Sequence, residues 1–262
     1  MAEFNTELRY LEESIESLVR QTCSDFELII VDDGGRNDVG SIVDRLGDPR
    51  IRVIENDGNR GLVYSLNVAI QNARAEFVVR MDTDDVASPN RVEVLLNFIK
   101  ENPGYSVVGS LAVEFSDVEN AGGILGRPGE KFAKNIIRGD VPIHPSVIFR
   151  RKDIIEAGLY DDYHRAEDLA LWCKLLLAGK RIYVLPDVLL RYRVNPDDYK
   201  KRTLRNRRGE IGARINYYPA MGAGKLDYLF VLKAVVAGLL PIRLVMFIRS
   251  RFVLGGKPVA TR

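Results

Sequence analysis

The chain has 262 residues, 46% of them hydrophobic, which suffices for one large α/β domain with an appendage or two small domains and excludes disorder by composition. The net charge of +2 hides an asymmetry: residues 200–262 carry fourteen Lys/Arg against two Asp/Glu, a net of +12, while the remainder carries −10. The two cysteines, Cys23 and Cys173, are isolated, which argues against zinc and redox motifs and fits a reducing cytosol.

The first residues are polar rather than basic then apolar, so no secretory leader is expected. Leu11, Ile15, Leu18 and Val19 fall at helical spacing and predict a helix over Leu8–Gln21. Phe26–Val31 is a nearly continuous apolar run that ends in Asp32-Asp33-Gly34-Gly35, the pattern of a buried strand that delivers acids to its carboxyl end. A short helix over Ser41–Leu46, a strand over Ile51–Ile54 and a helix over Gly61–Ala73 follow. Phe77–Met81 reads as a third strand and again ends in acids, Asp82, Asp84 and Asp85. Pro89 opens a helix to Lys100 with Ser88 as its N-cap. This alternation predicts a parallel sheet with helices on both faces, and ligands of such sheets bind at the carboxyl ends of the strands. Two acidic clusters at two such ends therefore point to one crevice.

Beyond it, Val107–Phe115 and Ser146–Phe149 read as strands on either side of a glycine-rich stretch around Gly122–Gly129. A helix is expected over Asp168–Ala178, then two strands, Ile182–Leu185 and Val188–Val194, split by Pro186. There is no internal repeat. A main domain over 1–195 and a basic, apolar helical extension over 196–262 result.

The acids carry the chemistry. Packing Asp82, Asp84 and Asp85 at one strand end makes sense if Mg²⁺ or Mn²⁺ sits there, with a diphosphate completing its shell; a solvated acidic turn that caps the next helix fits the spacing equally. Asp32 and Asp33 suit a base imide or a ribose hydroxyl, or a plain Asp-Gly turn. Glu167 and Asp168 open a helix, where an acid is either a cap or a carboxylate kept ionised to accept a proton. Trp172, one turn beyond Asp168, fits an acceptor wall or, better, the core. His144, held extended between prolines, suits the metal, a phosphate or a structural role.

The ordered set FELIIVDDG (26–34), Asn59-Arg60-Gly61-Leu62, Leu66-Asn67, Arg80-Met81-Asp82-Thr83-Asp84-Asp85, His144-Pro145-Ser146, Ala166-Glu167-Asp168 and Leu189-Leu190-Arg191-Tyr192-Arg193 resembles the family 2 glycosyltransferases of a bacterial non-processive branch, from Met1 to Arg193. The resemblance implies a GT-A fold, a Rossmann-like, mostly parallel sheet flanked by helices. It implies a nucleoside-diphosphate sugar donor, UDP-linked most commonly, with contacts from Phe4, Asp32, Asp33, Asn59, Gly61, Asn67, Asp82, Thr83 and Asp84. Asp84 would be the main ligand of Mn²⁺ or Mg²⁺, with Asp82 and His144 beside it. Asp168 would be the catalytic base of an inverting displacement, with Glu167 and Trp172 on the acceptor side. Three departures stand out. The family's first apolar strand is expected to be missing before Glu3-Phe4-Asn5, as from a late start codon or a shortened chain. Leu66 replaces an arginine that many relatives carry. The Q-x-x-R-W of processive synthases is absent, which implies transfer of one sugar per visit.

Leu226–Leu254 is apolar but broken by Lys233, Pro241, Arg243, Arg249 and Arg251, which suits an interfacial helix pair rather than a span. With the basic residues after Lys200, this places the protein in the cytoplasm at the inner face of the membrane, in contact with lipid through 200–254, facing a saccharide or lipid-linked acceptor. A C-terminal helix packed on the domain is the competing reading. A nucleic-acid partner is not expected, because aromatic residues do not interleave the Lys/Arg run. A nucleotidyltransferase of related fold and an inactive sugar-nucleotide-binding homologue are the alternatives.

Overall fold

The computed structural model describes residues 1–117, 122–194 and 204–239. Its elements build two sheets. The first has the order β1 (Ala2–Glu3), β2 (Leu28–Asp32), β3 (Ile51–Glu55), all parallel. The second runs β4 (Phe77–Val79), β9 (Ile148–Arg150), β6 (Tyr105–Phe115), β10 (Arg181–Arg193), β5 (Val86–Ala87). β7 (Ile124–Leu125) adds to β6 and β8 (Gly129–Lys131) to β10.

The helices are α1 (Leu8–Val19), α2 (Val39–Leu46), α3 (Leu62–Asn72), α4 (Arg91–Glu101), α5 (Ala133–Ile137), α6 (Arg151–Glu156), α7 (Glu167–Leu177), α8 (Leu204–Tyr217) and α9 (Tyr228–Leu239). The α/β class expected from the alternation is present. The mostly parallel character is carried by β1–β2–β3 and by the long β6–β10 pair, while the other pairings of the second sheet are antiparallel. Antiparallel partners need no crossover helix, and among the described residues between β6 and β9 the one α-helix is the five-residue α5.

Two local expectations are corrected. The two strands predicted around Pro186 form one strand, β10, with register shifts between Val184 and Val188 that absorb the proline. Ser88 does not cap α4. Gln21, at the end of α1, does so: its Oε1 accepts from Val92 N–H at 2.9 Å, and its Nε2 donates to Ser17 and Ser88 carbonyls. Sequence distance hides such a cap, but it satisfies a helix-terminal donor that would otherwise be orphaned.

The core lies on both faces. Leu11, Ile15 and Leu18 of α1 pack on Leu28 and Ile30 of β2, and Leu95 and Ile99 of α4 on Val108 and Ile148. On the opposite face, Leu66 and Ile70 of α3 meet Phe149 and α7 residues Leu169 to Cys173. α8 belongs to this body. Ala213 is fully buried in the same core, Arg214 donates to the Ile137 carbonyl, and Tyr218 is buried against Ile137. Gly209 lies so close to His164 that a Cβ there would come within 2.1 Å of its carbonyl oxygen. α9 buries Val231 but leaves Leu229, Leu232, Val236 and Leu239 exposed. The rest of the predicted tail, 240–254, lies outside the described residues. Among the described residues no helix is long and apolar enough to cross a membrane.

Replacing Gln21 by leucine leaves the Val92 N–H without its partner, while the Ser88 carbonyl keeps the Arg91 N–H. The variant should lose about 1–3 kcal/mol in a denaturant melt, with an unchanged m-value.

Candidate active site

β4 ends at Val79, the Arg80 N–H still donates to the Val147 carbonyl, and the chain bends at Thr83 and Asp84. The guanidinium of Arg80 is buried and Nη2 meets Asp82 Oδ1 at 2.6 Å. Beneath it, buried Arg91 donates to the carbonyls of Arg80 and Pro145, and burial lowers its pKa to about 10. Ser14 of α1 holds the carbonyl of Asp82 at 3.0 Å.

Arg193, at the end of β10, closes the turn from the other side. Its N–H donates to Asp85 Oδ1 at 2.8 Å, its Nε donates to the Asp84 carbonyl at 2.8 Å, and its guanidinium reaches Asp117 and Glu13. It is 4% exposed. The sequence offers Arg193 only as the last letter of a motif, with no sign that it organises acids more than a hundred residues away.

This scaffold forces three carboxylates together. One oxygen each from Asp82, Asp84 and Asp85 lie within 4.8 Å of one another. Burial, and then the charges of Asp82 and Asp84, hold the Asp85 carboxyl well above the usual range. Its Oδ2 is buried and has no hydrogen-bond partner. An orphaned acceptor among crowded acids is what a hard divalent cation satisfies, and an all-oxygen donor set is what Mg²⁺ and Mn²⁺ prefer. Asp85, expected in this acidic cluster but not among the ligands that the resemblance implies (Asp84, Asp82 and His144), therefore joins the candidate ligands.

The second wall comes from the loop after β2. Asp32 Oδ1 accepts from Gly34 and Gly35 N–H, so it makes an Asx turn. Gly34 sits at φ 73°, and a Cβ there would press on Gly58 at 2.9 Å, so the close approach of the two loops needs glycine. Asp33 is buried and accepts from Asn56 Nδ2 and the backbone N–H groups of Arg60 and Gly61 at 2.7–2.8 Å. It therefore organises the loop that carries Asn59 and Gly61 and starts α3. Phe4 and Asn59 are exposed at this rim. The segment after β1 ties the walls together: Asn5 Oδ1 takes the Arg36 N–H, and the hydroxyls of Thr6 and Thr83 meet at 2.7 Å.

Three predicted site residues turn out otherwise engaged. Asn67 spends both ends of its amide on the backbone of Tyr160, at 2.9 and 3.0 Å, and clamps α3 to the loop before α7. His144 is buried, with Nε2 on the Tyr160 hydroxyl at 2.7 Å, and among the described residues it is not part of the ligand cluster. Burial, and then Arg80, hold its pKa well below the usual value, so it is neutral. Trp172 is wholly buried, with His144 at its ring edge, and so is core rather than acceptor wall.

Glu167 and Asp168 occupy the first turn of α7, where free amides and the helix dipole favour negative charge. Asp168 Oδ1 takes the Leu169 N–H at 2.7 Å. Burial nevertheless raises its pKa, with Asp82 adding to the rise and Arg80 opposing it, which places Asp168 within the field of the β4 cluster. Burial, and then Asp168, push Glu167 up to about 7.

The sequence profile described as Glycosyl transferase family 2 matches residues 4–157, more than half of the chain. The chain belongs to this family. It is 27% identical to the UDP-Gal:alpha-D-GlcNAc-diphosphoundecaprenol beta-1,3-galactosyltransferase of Escherichia coli, over 88% of this chain and 86% of the other. It is likewise 27% identical to an uncharacterized glycosyltransferase of Haemophilus influenzae, over 73% of this chain, and spans only 63% of that relative's length. Solved structures share the fold. The mannosyltransferase PcManGT of Pyrobaculum calidifontis, in complex with GDP-Man and Mn²⁺, has a TM-score of 0.68 at 17% identity, over 97% of this chain and 79% of its own. S. aureus TarS 1-349 in complex with UDP has 0.64 at 23%, over 98% and 74%. The protein is thus a glycosyltransferase with the GT-A architecture expected from the sequence.

The raised pKa of Glu167 has a thermodynamic consequence. Burying it costs nothing below about pH 4.5, where folded and unfolded chains are both protonated; the cost grows up to about pH 7 and is complete above that. Glu167→Gln should therefore stabilise the fold by about 1–3 kcal/mol at pH 8 and by close to nothing at pH 4, read from melts at the two pH values.

Proposed function

We propose that this glycosyltransferase transfers one sugar from a nucleoside-diphosphate sugar, UDP-linked, to a hydroxyl of a saccharide or lipid-linked glycan, with inversion and with Mn²⁺ or Mg²⁺. The observation that carries the reading is the cluster of Asp82, Asp84 and Asp85 with its orphaned Oδ2, opposite the Asp32–Gly35 loop. The cation, when bound, offsets the charge that develops on the departing diphosphate.

The chain's own residues do the rest. Arg80 and Arg193 fix the acids through Asp82, the Asp84 carbonyl and Asp85. The nucleoside lies along Phe4, the Asp32 turn and the loop of Asn59 and Gly61. Asp168, at the amino end of α7, accepts the proton of the acceptor hydroxyl as its oxygen bonds to the anomeric carbon. The bond to the diphosphate breaks on the opposite face, which inverts the configuration. Glu167 borders the same acceptor side. The UDP, GDP-Man and Mn²⁺ in the related structures support this choice of donor and cation.

A role in cell-surface polysaccharide synthesis is supported by the E. coli relative, named for a diphosphoundecaprenol acceptor. In this reading the protein works in the cytoplasm at the inner face of the membrane. α9 meets the lipid there through Leu229, Leu232 and Val236, helped by the +12 charge of residues 200–262.

Two experiments test the reading. Asp168→Asn should lower kcat by about 10²–10⁴-fold while leaving metal-dependent binding of the donor intact; an unchanged kcat would remove Asp168 from the chemistry. Leu229→Glu with Leu232→Glu should abolish co-sedimentation with anionic vesicles without lowering Tm. Retained sedimentation would contradict the membrane contact.

A further inference from the structure

The loop over residues 160–166 leads directly into the first turn of α7, which carries Glu167 and Asp168. Arg165, a residue with a side chain, sits at φ 61° in this loop. Such a conformation costs energy and persists only where the surroundings over-determine it. Within the loop, the Tyr163 N–H donates to the Asp161 carbonyl at 2.8 Å and the Ala166 N–H to the Tyr163 carbonyl at 2.7 Å.

α8 supplies the rest of the restraint along one face. Gly209, Gly212, Ala213, Asn216 and Tyr217 recur there at helical spacing. Ala213 is buried in the same core as Ala166 and Leu169. Asn216 Nδ2 donates to the Tyr163 hydroxyl at 2.7 Å, and the Tyr217 hydroxyl donates to Asp161 Oδ2 at 2.9 Å. The rings of Tyr163 and Tyr217 lie 5.9 Å apart. Lys174 of α7 meets the same Asp161 carboxylate at 3.0 Å, and Asn67 clamps Tyr160 at the start of the loop.

Gly209 decides how close α8 comes. A glycine inside a helix weakens it relative to alanine, and α8 holds two. At Gly212 a Cβ would meet the Tyr163 ring at 3.8 Å, an ordinary contact. At Gly209 it would lie 2.1 Å from the His164 carbonyl oxygen and 2.8 Å from the His164 nitrogen. Backbone meets backbone there, and only glycine leaves the space. The donor wall draws on none of these contacts: Asp33 holds the Arg60 and Gly61 amides, and the Arg193 amide holds Asp85.

We propose that α8 positions the acceptor side, with Gly209 as its positioning residue: by seating the His164 backbone it sets the loop 160–166, and with it the approach of the acceptor to Asp168. The inference rests on the reading that Asp168 takes the acceptor's proton. It makes the first helix of the basic C-terminal extension a working part of the site.

The test compares Gly209→Ala with Gly212→Ala in the full chain, beside Asp168→Asn. Gly212→Ala should leave turnover unchanged and raise Tm, as alanine for glycine does in an unobstructed helix. Gly209→Ala should lower Tm and speed hydrogen exchange of the Ala166 and Leu169 amides, with the Arg60, Gly61 and Arg193 amides unchanged. With a panel of UDP-hexoses its kcat should fall by about 10–100-fold, while UDP binding with Mn²⁺, read by calorimetry, keeps its stoichiometry and stays within about twofold in affinity. Tyr217→Phe, which removes only the bond to Asp161, is the milder variant and should show the same split if Gly209→Ala does not fold. Unchanged exchange at Ala166 and Leu169, or a loss of kcat matched by an equal loss of UDP sites, would overturn the positioning role. So would an unchanged kcat in Gly209→Ala where Asp168→Asn is impaired. If Asp168→Asn is unimpaired as well, the reading of the base fails and the positioning role falls with it.

Discussion

Three carboxylates held within a few ångströms of one another at the end of a short strand repel, and Asp85 among them is buried with one oxygen unpartnered. Their crowding is the constraint on which the surrounding structure depends. Arg80 comes from just beyond β4, Arg193 from β10 and Ser14 from α1, and each bonds to this one turn. A fold under no functional demand would relieve such crowding by turning the acids to water, where they cost little. Here buried arginines hold them in place instead.

The same electrostatics reaches across the crevice. Arg80 bears on the Asp82 carboxylate directly and on Asp168, Glu167 and His144 through space. One buried guanidinium thus biases the β4 turn, the first turn of α7 and the neutral state of a histidine in the core. The segment Phe4–Thr6 does mechanically what Arg80 does electrically: it leans on Gly35, receives Arg36 and meets Thr83, so the nucleoside-side loop and the acidic turn are set relative to each other.

Much of this was legible in the sequence, for a physical reason. A buried strand must be apolar, so an abrupt Asp-Asp or Asp-x-Asp-Asp at its end stands out, and both acidic clusters were found at strand ends. The helices α1, α3, α4 and α7 lie within two residues of their expected ends because their apolar faces repeat at helical spacing. What was illegible depends on long-range partners. Asn67 looked like a polar residue free for a ligand, but its amide matches the backbone of Tyr160, ninety-three positions away. His144 and Trp172 looked chemically able, and their burial against each other decides otherwise. Pro186 looked like a break, but a bulge carries it. Asp85 stands in the acidic cluster by sequence, but spacing cannot tell which of its three acids turns inward.

The account stands or falls on what the three carboxylates hold. A crystal structure of the protein grown with Mn²⁺ and UDP, with anomalous data at the manganese edge, addresses this directly. The account predicts an anomalous peak bounded by Asp82, Asp84 and Asp85, bridged to the diphosphate, with the nucleoside along the Asp32–Gly35 loop. A diphosphate bound there with no cation among the three acids, or a cation bound only elsewhere, would contradict it.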